Sequence, residues 1–215
     1  MPTWDNWVQE WKRICDCVVN RGGTLTHFEV DPPALHSRII EVEEQLGYPI
    51  PSSYREVLLN FSQRVSVLAN LPDNSSCSES LKDVFAVSVM WDIERLPHLE
   101  LQRQEIVEGN EGDSLFAPWR RVLLVETSSG GDDIAINLDP ENKEEVVLLN
   151  LKHVETHQCK LGDNFQQFVD RMTDIGIPIW DSCAIRPFVN KPAWHLDSEC
   201  ENAKAWREWL GYSRM

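Results

Sequence analysis

The stretch that decides the fold is Leu46-Gly-Tyr-Pro-Ile-Pro-Ser-Ser-Tyr-Arg-Glu-Val-Leu-Leu-Asn-Phe61. It combines the end of one helix, a link that two prolines hold extended, and the start of a second helix. Gly47 suits the left-handed position that ends a helix. Ser53 and Glu56 have the spacing of a capping box before the apolar residues of the next helix. The stretch therefore predicts a helix–link–helix unit.

Helical patterns continue on the N-terminal side of this stretch. Asp31-Pro32-Pro33 pairs a capping side chain with proline, which predicts that the preceding helix begins there. Its buried stripe is predicted to consist of Leu35, Ile39, Val42 and Leu46. A further helix is predicted over residues 5–19, where tryptophans and aliphatic residues recur at helical spacing. We expect that stripe to pack on the core of the domain, because an exposed apolar patch of this size is costly.

The second informative stretch is Ser129-Gly-Gly-Asp-Asp-Ile-Ala-Ile-Asn-Leu-Asp139, a glycine turn followed by alternating apolar and polar residues. Alternation with a period of two predicts a strand. Turn residues separate this strand from an apolar run on either side, which predicts an antiparallel meander. The meander strands are expected at residues 122–126, 134–138 and 146–151, and two further strands at 65–71 and 85–91.

The remaining segments complete the predicted fold. A helix broken near Pro97 is expected over residues 93–106, an exposed acidic loop over 105–113, and another helix from Leu161 to Met172. Ser198 and Glu201 have capping-box spacing before a C-terminal helix. These elements predict an α+β fold with an antiparallel or mixed sheet of about four to six strands flanked by helices, with an N-terminal helix and a tryptophan-rich C-terminal extension.

Three segments are expected along the chain. Residues 1–27 form an N-terminal amphipathic helix and linker, residues 28–175 a central domain, and residues 176–215 an extension that ends in a helix. The extension is set apart by a change of composition after Gly176, where prolines alternate with aromatic residues. The length of 215 residues suits one domain with additions.

The charge of the chain excludes several classes of partner. There are 35 acidic and 20 basic residues, a formal net charge of −15. A surface this acidic repels nucleic-acid phosphates and anionic lipids, so we expect no direct nucleic-acid or membrane contact. It suits a cationic partner. The sequence shows no signal-peptide pattern and no membrane span, and six scattered cysteines suit free thiols in a reducing cytoplasm.

The spacings of the histidines and cysteines give little indication of a metal site. His153 and His157 are four residues apart and Cys159 follows, a spacing that could hold a metal on a helix. The preceding residues are predicted to be a strand, so a surface turn explains the histidines better. Cys15 and Cys17 are two residues apart on a predicted helix, where they face different directions. We therefore expect no metal site.

The glycine turn does not supply a cofactor or catalytic site either. The turn at Gly130 and Gly131 lacks the lysine and the serine or threonine that a phosphate-binding loop requires. The two adjacent carboxylates would also repel phosphate. Calcium could use Asp132, Asp133 and Asp139, but the spacing of a calcium-binding loop is missing. We expect no catalytic residues, no cofactor and no enzymatic activity. The alternative is an enzyme that uses the two histidines and nearby carboxylates.

Several motifs occur in an order that points to one family. After Phe28-Glu-Val-Asp-Pro-Pro-Ala34 and the helix–link–helix stretch come Trp119 before Val122-Leu-Leu-Val125, Ser129-Gly-Gly-Asp132, Ile134-Ala-Ile-Asn-Leu138, Glu145-Val-Val-Leu148 and Phe165-Gln-Gln-Phe168. In this order the chain resembles the SUKH superfamily, which includes the Smi/Knr yeast cell-wall synthesis regulators and many bacterial proteins. The resemblance covers residues 28–173. It departs from the family at Asn60-Phe-Ser-Gln63, where Asn-Gly often follows the second helix.

The resemblance implies a non-catalytic binding role. Many bacterial relatives are immunity proteins that neutralise a cognate polymorphic toxin, commonly a nuclease or another enzyme that acts in the cytosol. The partner is then expected to be a basic toxin bound stoichiometrically in the cytoplasm, because carboxylates can mimic phosphates in its substrate groove. The predicted contact residues are Glu108, Glu111, Asp113, Asp132 and Asp133, with Trp91 as an aromatic anchor. The alternative is a regulatory or scaffold module that binds a host enzyme or peptide.

Overall fold

A computed structural model describes residues 3–73, 77–153, 155–191 and 193–213. The helices are α1 (Trp7–Asn20), α2 (His36–Leu46), α3 (Ser52–Asn60), α4 (Leu96–Gly109), α5 (Phe165–Ile175), α6 (Ser182–Ile185) and α7 (Glu201–Leu210). The strands are β1 (Thr24–Val30), β2 (Arg64–Asn70), β3 (Ala86–Asp92), β4 (Val122–Thr127), β5 (Asp133–Asn137), β6 (Val146–Leu149), β7 (Cys159–Gly162), β8 (Val189–Asn190) and β9 (His195–Leu196). The α+β prediction is confirmed.

The strands divide between two sheets. One has the order β1-β2-β3 and is antiparallel, and the other has the order β4-β5-β6-β7-β9-β8. The predicted meander is confirmed, because β4, β5 and β6 pair antiparallel in sequence order. The parallel pair β7–β9 makes the second sheet mixed. Strand β1 was not predicted, because its residues are mostly exposed and lack a clear buried face.

The N-terminal helix α1 is part of the core. Trp7 and Trp11 are buried, as their spacing predicted. Both indoles also satisfy their polar atoms on α5: Trp7 Nε1 donates to Asp170 Oδ1 at 2.7 Å, and Trp11 Nε1 donates to Thr173 Oγ1 at 2.9 Å. A buried indole N–H requires such a partner. The stripe is therefore used for intramolecular packing.

The start of α2 differs from its prediction. Gly47 does end the helix in the left-handed conformation with φ 79°. The helix begins at His36, however, rather than at Asp31, whose backbone N–H donates to the carbonyl of Arg64 at 2.9 Å. Hydrogen bonds to distant parts of the chain thus hold the segment before the helix in an extended conformation. These hydrogen bonds outweigh the local capping signal.

Both predicted capping boxes are wrong. Helix α3 begins one residue before Ser53, and its first N–H groups are bound by the Glu144 carboxylate instead. At α7 the capping residue is Cys200, whose sulfur accepts from the N–H of Ala203 at 3.4 Å, rather than Ser198. In both cases the spacing was present, but the helix began at another residue.

Helix α4 is longer and more regular than predicted. Pro97 lies in its first turn, where a missing N–H does no harm, so it does not break the helix. The helix continues through Gly109, which places Glu105 and Glu108 on a helix rather than in a loop. Leu161, predicted to start a helix, lies in β7, and α5 begins at Phe165.

The C-terminal extension is joined to the first sheet. The N–H of Ser88 on β3 donates to the carbonyl of Ile177 at 2.8 Å, and the N–H of Ile179 donates to the carbonyl of Ala86 at 2.9 Å. This pairing covers the outer edge of β3. It also brings Trp180 and the start of α6 beside the turn that precedes β5, where a cavity lies.

Candidate functional site

A cavity of about 640 Å³ lies where β3, β4 and the C-terminal extension meet. We call it the Asp132 cavity. A volume of this size is typical of ligand-binding sites. Its apolar wall includes Leu68, Phe85, Met90, Ile179 and Trp180. Its polar wall includes Lys82, Asp83, Ser88, Glu126, Thr127, Ser128, Asp132, Lys152, Asp181, Ser182 and Cys183.

The glycine turn at residues 128–132 shapes one wall of the cavity. The N–H of Ser128 donates to the carbonyl of Asp132 at 2.8 Å, and Ser128 Oγ accepts from the N–H of Asp132 at 3.0 Å. Gly131 has φ 82°, a conformation that favours glycine. The predicted turn is confirmed, and its hydrogen bonds fix the position of Asp132.

Asp132 is the notable polar group in this wall. Its side chain is buried, since the residue is only 3 % exposed, and Oδ2 accepts from the N–H of Ser182 at 2.8 Å. Oδ1 is also buried, and it has no hydrogen-bond partner among the residues that the structure describes. A buried carboxylate oxygen without a donor is costly. Asp132 therefore retains the capacity to accept a further hydrogen bond.

Asp133, the first residue of β5, makes different contacts from Asp132. Its Oδ2 accepts from Trp119 Nε1 at 2.8 Å, and its Oδ1 accepts from Thr127 Oγ1 at 2.7 Å. Burial raises the pKa of Asp133, although these two hydrogen bonds oppose the rise. Asp133 lines a second cavity of about 390 Å³ that Glu105 of α4 also lines.

The other deep carboxylate in the Asp132 cavity is already paired. Glu126 is buried, and its Oε2 lies 2.7 Å from Arg95 Nη1. Burial raises the pKa of Glu126, while the charge of Arg95 opposes that rise. Asp132 has no ion pair with the described residues, so the two deep carboxylates differ in what they can still bind.

A thiol and an imidazole meet at the edge of the cavity. His153 Nε2 lies 3.1 Å from Cys183 Sγ. Such a pair can form a nucleophile when the thiol is deprotonated. Here burial, and then the carboxylates of Asp181, Asp83 and Asp132, raise the pKa of Cys183. The environment therefore favours the neutral thiol, which is a poor nucleophile.

The two histidines considered for a metal make separate contacts. The Nδ1 atom of His157 accepts from the N–H of Asn150 at 3.3 Å, its ring stacks on Trp119, and burial lowers its pKa. His153 faces Cys183 instead. Within the described ranges, no three His, Cys, Asp or Glu side chains are arranged to hold a metal ion.

The predicted contact residues fall into separate groups. Trp91 is 1 % exposed, its indole donates to the carbonyl of Ser62 at 3.1 Å, and its ring packs against Trp11 and Phe165. Contact between Trp91 and a partner stays a prediction, and it would require the ring to leave this core. Asp132 and Asp133 are buried as well.

The other predicted contact residues are exposed around the C-terminal end of α4. Glu108 lies on the helix, and Glu111 and Asp113 lie in the turn that follows it. Asp113 Oδ1 accepts from the N–H of Leu115 at 2.9 Å. Glu108 and Glu111 form no ion pair with any residue in the described part of the chain, which leaves their charge available.

Two further exposed residues of α4 lie on the same helix face as Glu108. Leu101, which is 59 % exposed, and Glu105 precede Glu108 at spacings of seven and three residues. Residues at these spacings share one helix face. This helical spacing was present in the sequence, but the prediction of a loop over residues 105–113 hid it. We call Leu101, Glu105, Glu108, Glu111 and Asp113 the α4 acidic face.

Most of the central part of the chain matches a known protein family. Residues 33–171, more than half of the chain, match the SMI1 / KNR4 family (SUKH-1). The chain belongs to this family, which confirms the resemblance to the SUKH superfamily. The family is known as a non-enzymatic immunity or regulatory domain. A search of curated proteins gave no match.

Among the described helices, none has both the length and the apolar character needed to cross a membrane.

Proposed function

We propose that this protein binds a cognate bacterial polymorphic toxin in the cytoplasm and neutralises it stoichiometrically. Family membership supports a role in immunity or regulation through protein–protein contact. The observation that carries the choice of partner is the net charge of −15. Electrostatic complementarity then favours a basic partner, such as a nuclease or another enzyme acting in the cytosol.

The α4 acidic face is the contact surface we propose. Its exposed carboxylates follow Leu101 along the chain, and Leu101 is an apolar side chain large enough to lose substantial water-accessible area in an interface. Interfaces commonly combine an apolar centre with a charged rim. Here the rim would face the positive groove in which a toxin holds phosphates.

The interaction requires no chemistry from this chain. An inhibitor that occupies the substrate groove acts by exclusion, and its carboxylates replace the phosphates that the groove normally binds. The raised pKa of the Cys183 thiol agrees with a binding role. The long-range field of an acidic protein would also speed association with a basic partner, and this acceleration decreases at high salt.

The test is capture of the partner from the native cell. The tagged protein is expressed with its neighbouring genes, purified and analysed by mass spectrometry. We expect one basic protein at equal stoichiometry, and we expect this partner to arrest growth when it is expressed alone and not when co-expressed with the tagged chain.

Two controls make the result decisive. A variant with its charge reversed on the α4 acidic face must lose protection, and a variant with a comparable charge change on α1 and α2 must retain it. Recovery of several housekeeping proteins without a toxic partner would instead support the regulatory or scaffold alternative.

A further inference from the structure

We propose that the Asp132 cavity receives an arginine side chain of the partner protein, whose guanidinium donates to Asp132 Oδ1. This inference rests on the proposed function only where it assigns the arginine to a protein partner. It adds a second contact site, formed by β3, β4 and the C-terminal extension, to the α4 acidic face.

Asp132 has an acceptor atom that no described residue satisfies. Asp132 is almost fully buried and lines the cavity, and its Oδ2 is held by the N–H of Ser182. Its Oδ1 has no partner in the described part of the chain, and it is closed to solvent, so the side chains around it must move for a donor to reach it. A charged donor is the strongest partner for a buried carboxylate oxygen, because hydrogen bonds between ions are about twice as strong as neutral ones.

The surrounding wall has aromatic and aliphatic side chains that suit an arginine. Phe85, which is 54 % exposed, and Trp180 both line the cavity. Aromatic faces attract guanidinium groups and allow the flat group to stack. Leu68, Met90 and Ile179 would contact the aliphatic part of the side chain. A compact ammonium would use less of this wall.

The described cations that line the cavity form no ion pair with Asp132. Lys82 and Lys152 also line the cavity, but both are exposed, and Lys82 Nζ lies 2.6 Å from Glu79 Oε1. Glu126 is neutralised by Arg95. Asp132 is thus the deep charge without an ion pair to a described residue. Lys152 remains as a nearby positive charge that would oppose an incoming guanidinium.

A titration of the free protein tests the proposal. The probe is N-acetyl-arginine amide, observed through the indole N–H signal of Trp180 and the backbone signals of Gly130, Gly131 and Ser182. N-acetyl-citrulline amide, which has the same shape without the charge, and N-acetyl-lysine amide are the comparison probes. We expect saturable shifts with the arginine probe, none with the citrulline probe, and weaker binding of the lysine probe.

Three variants separate the proposed contact from a general loss of structure. Asp132→Asn keeps the shape and the acceptor for Ser182, and it should weaken the arginine probe at least about tenfold, the factor expected for loss of a charged hydrogen bond. Asp16→Asn, an exposed change on α1 with the same loss of charge, should have no effect. Lys152→Gln should strengthen binding several-fold, a sign that misfolding would not produce.

If Asp132→Asn does not fold, a measurement on the wild-type protein still tests the proposal. Cys183 lies in the same wall, so the arginine probe should slow its alkylation by iodoacetamide, as followed by peptide mass spectrometry. The citrulline probe should not. Cys17, on α1, provides an internal control whose alkylation rate should stay constant.

The proposal is overturned if no saturable shift occurs, if citrulline binds as well as arginine, or if Asp132→Asn binds the probe as wild type does. Equal affinity for the lysine probe would overturn the assignment to arginine. The titration uses no partner, so its failure leaves the capture experiment unaffected. Failure of the capture experiment would likewise leave a positive titration standing.

Discussion

The carboxylate of Glu144 accepts a hydrogen bond from the backbone N–H of Ser53 at 2.8 Å. It also accepts from the N–H of Ser52 at 3.2 Å, so one side chain from the turn between β5 and β6 caps helix α3. Negative charge at a helix N-terminus is stabilising because the unpaired N–H groups and the helix dipole both favour it. This contact joins the helix–link–helix unit to the second sheet.

Replacing Glu144 with glutamine should lower the free energy of unfolding by about 1 kcal/mol, the size typical of a helix cap. Glutamine keeps one acceptor oxygen but loses the charge. Urea unfolding of both proteins measures the difference. Glu141→Gln, an exposed change in the same turn, is the matched control and should leave the midpoint unchanged. Equal loss in both variants would mean that the turn as a whole, rather than the cap, matters.

The same contact should make stability depend on pH. Burial alone would raise the pKa of Glu144, but the hydrogen bonds from Ser52 and Ser53 lower it below its ordinary value. A lowered pKa in the folded state gives stability that is present above the unfolded-state pKa of about 4.3 and is lost as the pH falls through the folded-state pKa. The difference between wild type and Glu144→Gln should therefore be constant near neutral pH and shrink in acid. A difference that grew on acidification would contradict the assigned direction.

Asp133 should contribute to stability mainly through Trp119. Replacing Asp133 with alanine leaves the buried indole N–H without an acceptor, which costs about 1–3 kcal/mol. The loss should be smaller in a Trp119→Phe background, because phenylalanine has no N–H to satisfy. A double-mutant cycle from urea unfolding measures this coupling. Additive losses would show that the hydrogen bond between the two side chains has no net effect on stability.

Cys183 should react slowly as a nucleophile despite its contact with His153. Burial and three nearby carboxylates raise the thiol pKa, so the pH profile of its alkylation should have a midpoint above that of an ordinary thiol. Asp181→Asn should move this midpoint downward, since it removes one of the charges. Peptide mass spectrometry after timed exposure to iodoacetamide gives the profile. A midpoint below neutral pH would instead indicate an activated thiol and would reopen the enzymatic alternative.

The sequence predicted the helix end and the strands that depend only on neighbouring residues. Gly47 ends α2 because a left-handed residue was needed there, and the meander β4-β5-β6 follows from alternation and turn residues. Capping of α3 could not be predicted in this way, since Glu144 is distant in sequence from Ser53 and reaches it only after the second sheet has formed. The position of helix starts depends on such non-local acceptors.

The candidate site likewise combines a turn that the local sequence predicts with burial that depends on distant segments. The turn before Asp132 was predicted, but the burial of Asp132 depends on the C-terminal extension, which supplies the N–H of Ser182. The sequence predicts Trp91 to be an aromatic anchor for a partner, and its burial in the structure arises from α1 and α5 packing on β3. No pattern within a single strand encodes which distant helices cover it.

Reversing charge on the α4 acidic face tests the proposed interface directly. The variant combines Glu108→Lys and Glu111→Lys with Asp113→Asn, which keeps a side-chain acceptor for the turn. With the captured partner, association at low salt should slow by roughly tenfold or more, because steering depends on complementary charge. Stopped-flow measurements over a range of salt concentrations should also show a weaker salt dependence.

The control for this variant carries a comparable change of charge elsewhere. Asp16→Lys with Glu44→Lys alters two exposed carboxylates on α1 and α2. If only the total charge mattered, both variants would slow association to a similar extent, since the long-range field would weaken in each. If the α4 acidic face is the interface, its variant should also dissociate faster, because its side chains then face the partner directly. An unchanged dissociation rate, with equal slowing in both variants, would remove this face from the interface and leave the Asp132 cavity as the contact to examine.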